Sequence, residues 1–414
     1  MKNLQRSALQ GALVASICVA APTMASSEDN SSSSRPVLAE FVQTATMDHP
    51  LLANAQAQLD KARARARGQN RPLYNPELEL EYEDADEKTK TVGIAQSIDW
   101  SGKRRARYSV AQAEVDLAGA AFEITRKALL TELLVGLSNS QFSLKEHQLS
   151  ERRVELGQEF LALAERRNRA GDITKAELLT ARLALAEAQA AMNTAQNELS
   201  RAQEQLAGIS GGNRALWPAL QGVPTEAQPS LESIHPVELP ELRFATMQTQ
   251  VSRTQIRLAQ KDRNPDPTLG VRYGEEGTST LVGVSFSIPI PILNNYRAEV
   301  DEAQAGLIGA EQSYLDVQRR ISARLQSSHE RYLRSYENWL QWQSEGEQLL
   351  LEQRQLLQKL WQLGEINAVD YLVQLNQTFA TESASSQLHS RLWNDWFLWL
   401  DASGSTSEWT ENLQ

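Results

Sequence analysis

The chain has 414 residues, with 41 Lys+Arg against 52 Asp+Glu, a formal net charge of −11 and a single cysteine. The acidic balance excludes a nucleic-acid-binding module, whose phosphate contacts need a basic surface, and one cysteine excludes a disulfide framework. Mean hydropathy is −0.44, and no run of about 18 apolar residues follows the N-terminus, which excludes a protein of many membrane-spanning helices.

The first 25 residues read as a secretory signal. Lys2 and Arg6 precede an apolar stretch over 11–21, and small residues follow at Thr23 and Ala25, with cleavage expected after Ala25. Cys18 lies inside that stretch, but Ala15, Ser16 and Ile17 fit a lipid-attachment pattern poorly, so a non-lipidated mature chain is expected. Loss of Lys2 and Arg6 takes the net charge from −11 to −13. Residues 26–35 read as a polar tether.

An internal repeat organises the rest. Arg169-Ala-Gly-Asp-Ile-Thr-Lys-Ala-Glu-Leu-Leu179 recurs as Gln362-Leu-Gly-Glu-Ile-Asn-Ala-Val-Asp-Tyr-Leu372, pairing Gly171 with Gly364, Ile173 with Ile366 and Glu177 with Asp370 at an offset of 193. Gly93-Ile-Ala-Gln-Ser-Ile98 recurs as Gly283-Val-Ser-Phe-Ser-Ile288 at an offset of 190. So long a period lies outside the range of stacked solenoid repeats and marks two halves of a duplicated unit. The first repeat covers 36–213 and the second 239–404, with a linker over 214–238 and a tail over 405–414.

Each half passes through the same elements in order. A helix over 49–71 ends at Pro72 and Asn75-Pro76, because a residue before proline disfavours helical geometry. Strands over 77–84 (Leu78, Leu80, Tyr82) and 91–99 (Val92, Ile94, Ile98) alternate apolar and polar residues and form a hairpin, 77–99. A helix over 103–170 contains no proline, and at about 1.5 Å per residue it extends on the order of 100 Å. Apolar residues recur every seven positions at Val135, Phe142, Leu149, Leu156 and Leu163, which predicts coiled-coil packing. Past Gly171 a second helix carries Leu178, Leu185, Met192, Leu199 and Leu206 at the same interval. In the second half a helix over 241–263 stops at Asn264-Pro-Asp-Pro267. Strands over 268–275 and 280–288 form the hairpin 268–288, and a proline-free helix runs over 297–363 with Trp342, Leu349 and Leu356 in the matching register. Each half is expected to end in a long helical hairpin that turns at Gly171 or Gly364.

Periodicity alone fits a cytosolic or periplasmic coiled-coil structural protein. The strands argue otherwise, since each is about long enough to cross a bilayer when tilted. Four strands cannot close a barrel, and an open edge in lipid leaves backbone groups unsatisfied at several kcal/mol each. Three copies sharing one barrel supply twelve strands, an even number of the kind found in outer-membrane barrels. The predicted fold class is therefore mainly α with a small β part: a trimeric α-helical barrel continuous with a shared 12-stranded β-barrel, four strands per protomer.

These residues resemble the TolC-like outer membrane factors over nearly the whole mature chain, from about Pro36 to Gly404. The turns around Gly171 and Gly364 are similar to the family's periplasmic tips. Gln96-Ser-Ile-Asp-Trp-Ser-Gly-Lys-Arg104 and Ser287-Ile-Pro-Ile-Pro-Ile-Leu-Asn294 with Arg297 resemble the strand-to-helix junctions of its CzcC-like heavy-metal efflux branch. The resemblance implies a homotrimer in outer membrane lipid that extends into the periplasm, where its tip meets a periplasmic adaptor protein and an inner-membrane proton-driven pump. It implies a passive duct for metal cations rather than an enzyme, or the same duct serving drugs, organic solutes or a secreted protein. Some relatives constrict the tip with two acids and an arginine. Here Asp370 matches the first acid, while the second falls on Val373 and the arginine on Ile366.

Chemical motifs are otherwise scarce. His49, His147, His235, His329 and His389 are isolated, and Asp84-Ala-Asp86-Glu87 lacks the glycine and distal glutamate of a calcium loop. Catalytic, cofactor and metal residues are expected to be absent. Lys103, Arg104, Arg105 and Arg107 read as a basic cluster near lipid headgroups, and Trp393, Trp396, Phe397 and Trp399 read as helix packing. At the tip, Gly171 and Gly364 are expected to form turns, and Ile173 and Ile366, taken to face water unpartnered, are assigned to adaptor docking. Glu177 and Asp370 are expected to ring the tunnel mouth.

Overall fold

A computed structural model describes residues 31–412 except 213–216, 221, 225–230, 232–233 and 235. The expected signal segment 1–25, the start of the tether, His235 and much of the linker lie outside the described residues. Helix α1 (Ser31–Met47) begins within the stretch read as a polar tether, so that tether is shorter than expected. Helix α2 (Pro50–Gln69) starts at His49, whose side chain accepts the Leu51 N–H at 3.2 Å, and Pro50 occupies its first turn, where a missing N–H costs nothing. Strands β1 (Glu77–Asp84) and β2 (Lys88–Ser97) follow, then α3 (Lys103–Ala170) and α4 (Lys175–Ser210). The second half repeats the order with α5 (Pro240–Asp262), β3 (Thr268–Glu276), β4 (Ser279–Ser287), α6 (Arg297–Gln341), α7 (Glu347–Leu363) and α8 (Ala368–Ser403), closed by the short α9 (Thr406–Glu411).

The strands form one antiparallel sheet in the order β1-β2-β3-β4. The two halves join at β2 and β3, where Ser97 stands opposite Thr268 and Ile94 opposite Val271. The main core gathers Leu133, Leu134 and Leu137 of α3, Leu206 of α4, Leu242 of α5, Ile321 and Tyr332 of α6, and the predicted packing residues Trp393, Trp396, Phe397 and Trp399 of α8. A second core lies toward the hairpin turns, around Phe160, Leu357, Trp361, Tyr371 and Phe379.

The long helix of the first half is continuous over 68 residues. Its counterpart is interrupted by a π turn, Trp342–Gly346, between α6 and α7. The indole of Trp342 lies over Gly346 so closely that any side chain there would collide with it. The wider turn takes up an extra residue. Inward positions step by seven through Ser328, Ser335 and Trp342, then by eight to Leu350 and again by seven to Leu357. Leu349 and Leu356, expected in the packed register, are consequently 63% and 55% exposed. With Leu363, 62% exposed, they form an apolar stripe on the outside of the protomer.

The halves also differ at the passage from strand to helix. It takes residues 98–102 in the first half and 288–296 in the second, four residues more.

Candidate functional site

The sheet has two chemically opposite faces. Leu78, Leu80 and Tyr82 of β1 stand beside Ile94 and Val92 of β2, which stand beside Val271 and Tyr273 of β3, which stand beside Val284 and Val282 of β4. All are exposed, as are Leu269 and Phe286 in the row nearest the helices. On the other face β1 presents Glu77, Glu79, Glu81 and Glu83 at every second position, next to small residues such as Gly93, Ala95 and Gly270. Glu81 accepts the Thr91 hydroxyl at 3.1 Å and pairs with Arg272 at 3.3 Å, the only cation on that face among the described residues. One face is thus suited to lipid and the other to water. The outer edges of β1 and β4 pair with nothing among the described residues, which leaves the sheet with two open edges.

Where the sheet meets the helices, buried charges lock the two halves together. Asp99 caps α3 by accepting the N–H groups of Lys103 at 2.7 Å and Arg104 at 2.8 Å. Burial alone would raise the Asp99 carboxyl, but these bonds and that of Gly102 outweigh it and hold the group below its ordinary value. Lys103 does not join the headgroup-facing cluster expected from sequence: it is buried, with its ammonium 2.9 Å from Asp266. The same carboxylate oxygen accepts the Tyr74 hydroxyl at 2.7 Å, and this bond, with burial, pushes the phenol up to about 12. Trp100 donates its ring N–H to the Pro265 carbonyl at 2.8 Å. A second quartet, Lys127, Glu241, Arg324 and Asp401, ties α3, α5, α6 and α8 together.

At the far end, the six predicted tip residues lie in and just after the two helix-to-helix turns, and Ile173 and Ile366 pack against one shared core. Gly171 and Gly364 adopt φ of +86° and +75°, which favour glycine, and end their helices in the same way. The N–H groups of Asp172 and Glu365 return to Arg167 and Leu360 at 2.9 and 3.0 Å. Ile173 and Ile366 do not face water unpartnered. Both are half-buried against the tip core, where Trp361 stacks on Tyr371 at 4.5 Å and the Arg167 guanidinium lies 4.8 Å over Trp361. Neither Ile173 nor Ile366 is therefore an unpartnered apolar side chain marked for docking on that ground, since each packs at its own turn.

Glu177 and Asp370 are capping residues at this level of structure. Thr174 and Glu177 form a reciprocal capping box, and those hydrogen bonds from the Thr174 backbone and hydroxyl hold the Glu177 carboxyl below its ordinary value. The Asn367 side chain caps Asp370 N–H at 2.8 Å and donates to its carboxylate at 2.6 Å. Just above the tip, a groove of about 730 Å³ between α3 and the α7–α8 hairpin is lined by Phe160, Trp361, Arg166, Arg354 and Glu382. Among the described residues, no group of three or more His, Cys, Asp or Glu is arranged to hold a metal ion. No helix among the described residues is long and apolar enough to cross a membrane.

A family model described as outer membrane efflux protein matches residues 41–212 and 237–396. No curated protein matches the sequence. The fold is similar to that of the Campylobacter jejuni CmeC outer membrane channel, with a TM-score of 0.75, 14% identity, and 91% and 90% of the respective chains covered. The Vibrio cholerae outer membrane protein VceC gives 0.71, 17% identity, and 89% and 96% coverage. CusC, studied for its folding and transmembrane channel formation, gives 0.73, 16% identity, and 89% and 92% coverage.

Proposed function

The chain belongs to the outer membrane efflux protein family, and on that premise we propose that it is the exit duct for heavy-metal cations in a tripartite efflux system. Members of the family are trimeric and work with adaptor and inner-membrane pump partners. Three copies of this chain close one barrel by joining the β4 edge of each to the β1 edge of the next. The exposed Leu349, Leu356 and Leu363 stripe is covered in the same assembly. The duct conducts passively, and the family's channels are non-enzymatic.

The observation that carries the cation reading is the glutamate face of β1. With lipid on the other side, Glu77, Glu79, Glu81 and Glu83 line the water-filled passage, opposed on their own sheet by Arg272 alone among the described residues. Rings of carboxylates favour cations in a pore. The choice of metals follows from the junction segments at 96–104 and 287–297, which resemble those of the CzcC-like branch. At the tip, the turns at Gly171 and Gly364 meet the adaptor, with Ile173 and Ile366 holding the shape it reads. Glu177 and Asp370 place their remaining charge at the mouth.

Two measurements test this reading. In planar bilayers the trimer is expected to be cation-selective, and E77Q/E79Q/E83Q to lose most of that preference while conducting. Deletion of the gene is expected to lower tolerance of transition-metal cations. Unchanged metal tolerance with raised drug sensitivity, in a strain lacking redundant ducts, would assign the duct to drugs or organic solutes instead.

A further inference from the structure

Among the described residues, the passage from β4 to α6 holds the most exposed apolar side chains outside the sheet. Ile290, Ile292 and Leu293 are 74%, 79% and 102% exposed. The connection itself does not need them. The equivalent passage in the first half turns from strand to helix in residues 98–102, with Asp99 as the cap, so the second carries four surplus residues. Pro289 and Pro291 remove backbone donors at alternate positions, and Ile292 N–H is spent on the Ile290 carbonyl at 2.9 Å. A linker of this kind cannot extend the β4 ladder toward another strand. What it offers its surroundings is side chains, and these are apolar.

Its position says what those surroundings are. Ser97, Thr268 and Ser287 stand in one row across the sheet, so both strand-to-helix passages leave from the same end. The linker continues directly from Val284 and Phe286 of the apolar face. At the same level are Trp100, 62% exposed with its ring N–H engaged, and Tyr296, both residue types that favour the boundary between acyl chains and headgroups. Exposed Arg104, Arg105 and Arg297 begin the helices there, long enough to lay their stems on lipid and reach phosphates.

We infer that the 288–293 linker is a lipid anchor, with Ile290, Ile292 and Leu293 among the acyl chains of the leaflet at the helix end of the barrel. It rests on the reading of the sheet as part of an outer-membrane barrel, and it fixes the depth at which that barrel sits. The anchor is tested with nitroxide labels at L293C and, separately, I292C, in a C18S background, in vesicles of phosphatidylethanolamine and phosphatidylglycerol. A V284C label on the sheet serves as the reference. Relaxation by oxygen several-fold stronger than by a water-soluble nickel chelate, at either linker site and at 284, is the expected result. If 284 is lipid-exposed while both linker labels relax with nickel, the linker is in water and the inference is wrong. Linker labels shielded from both reagents mean that a second copy covers them, which also overturns it. Nickel access at 284 itself would instead remove the barrel reading beneath.

Discussion

Replacing Lys103 by Met strands the Asp266 carboxylate. The Lys103 and Asp266 side chains are only 10% and 5% exposed, and one Asp266 oxygen already lacks a hydrogen-bond partner in the structure. After K103M the charge keeps a single neutral donor, the Tyr74 hydroxyl. Breaking a buried ion pair from one side costs about 3–5 kcal/mol, and the surviving Tyr74 bond places this case near the lower figure. The double variant K103M/D266L removes both charges into an apolar corner and is expected within about 1 kcal/mol of the original protein. Guanidinium unfolding of the detergent-solubilised protein, followed for all members of the cycle, gives the coupling directly. Tyr74 supplies a second readout. Its phenol is raised from 10.0 to about 12, so its contribution is complete below pH 10 and is lost as pH rises through about 12. The difference in phenolate absorbance between each protein and its Y74F derivative isolates that titration. In D266L it should return toward the ordinary value. A K103M protein destabilised by less than about 1 kcal/mol, or a Tyr74 titration unmoved in D266L, would refute the argument that buried charge locks the halves.

Aspartate at Ile173 and Ile366 should loosen both turns, seen as faster hydrogen exchange over 160–180 and 357–375, and abolish efflux while the trimer still assembles. Intact exchange protection with lost efflux would place the residues in direct docking instead. Thr174→Ala removes a helix cap worth about 1 kcal/mol and frays the start of α4, measurable by protease cleavage near 175. Glu177 and Asp99 both have lowered carboxyl values. The stability they give is therefore present above their unfolded values of 4.5 and 3.8 and disappears as pH falls through the lower folded values. Acid should open the tip cap and the α3 start together, and E177Q should make the tip less sensitive to that change.

Much of the architecture was legible because its signals are local. Alternation in 77–84 and 268–275, prolines after α2 and α5, and glycines at 171 and 364 each act within a few residues. What escaped depends on distant partners. Asp266 lies between two prolines that mark only the end of α5, and only the fold brings Lys103 and Tyr74 to it. Ile173 looked unpartnered because the Phe160, Trp361 and Tyr371 cluster comes from both halves of the chain. The register of Leu349 and Leu356 failed for another reason. A π turn is a change of hydrogen-bond spacing, and the heptad count carries no mark of it except Gly346, four residues after Trp342.

That interruption makes the two long limbs of the protomer mechanically unlike. The first is an unbroken strut of 68 residues from the sheet corner to its turn. The second has a joint at 342–346, where the wider turn weakens the hydrogen-bonded column and a single indole fills the gap. An axial load applied at the tip would pass up the first limb to the Asp99 and Lys103 corner, whereas in the second it would be taken up as bending at the joint. One duplicated unit has thus produced an unbroken limb and a jointed one, side by side on the same tip core.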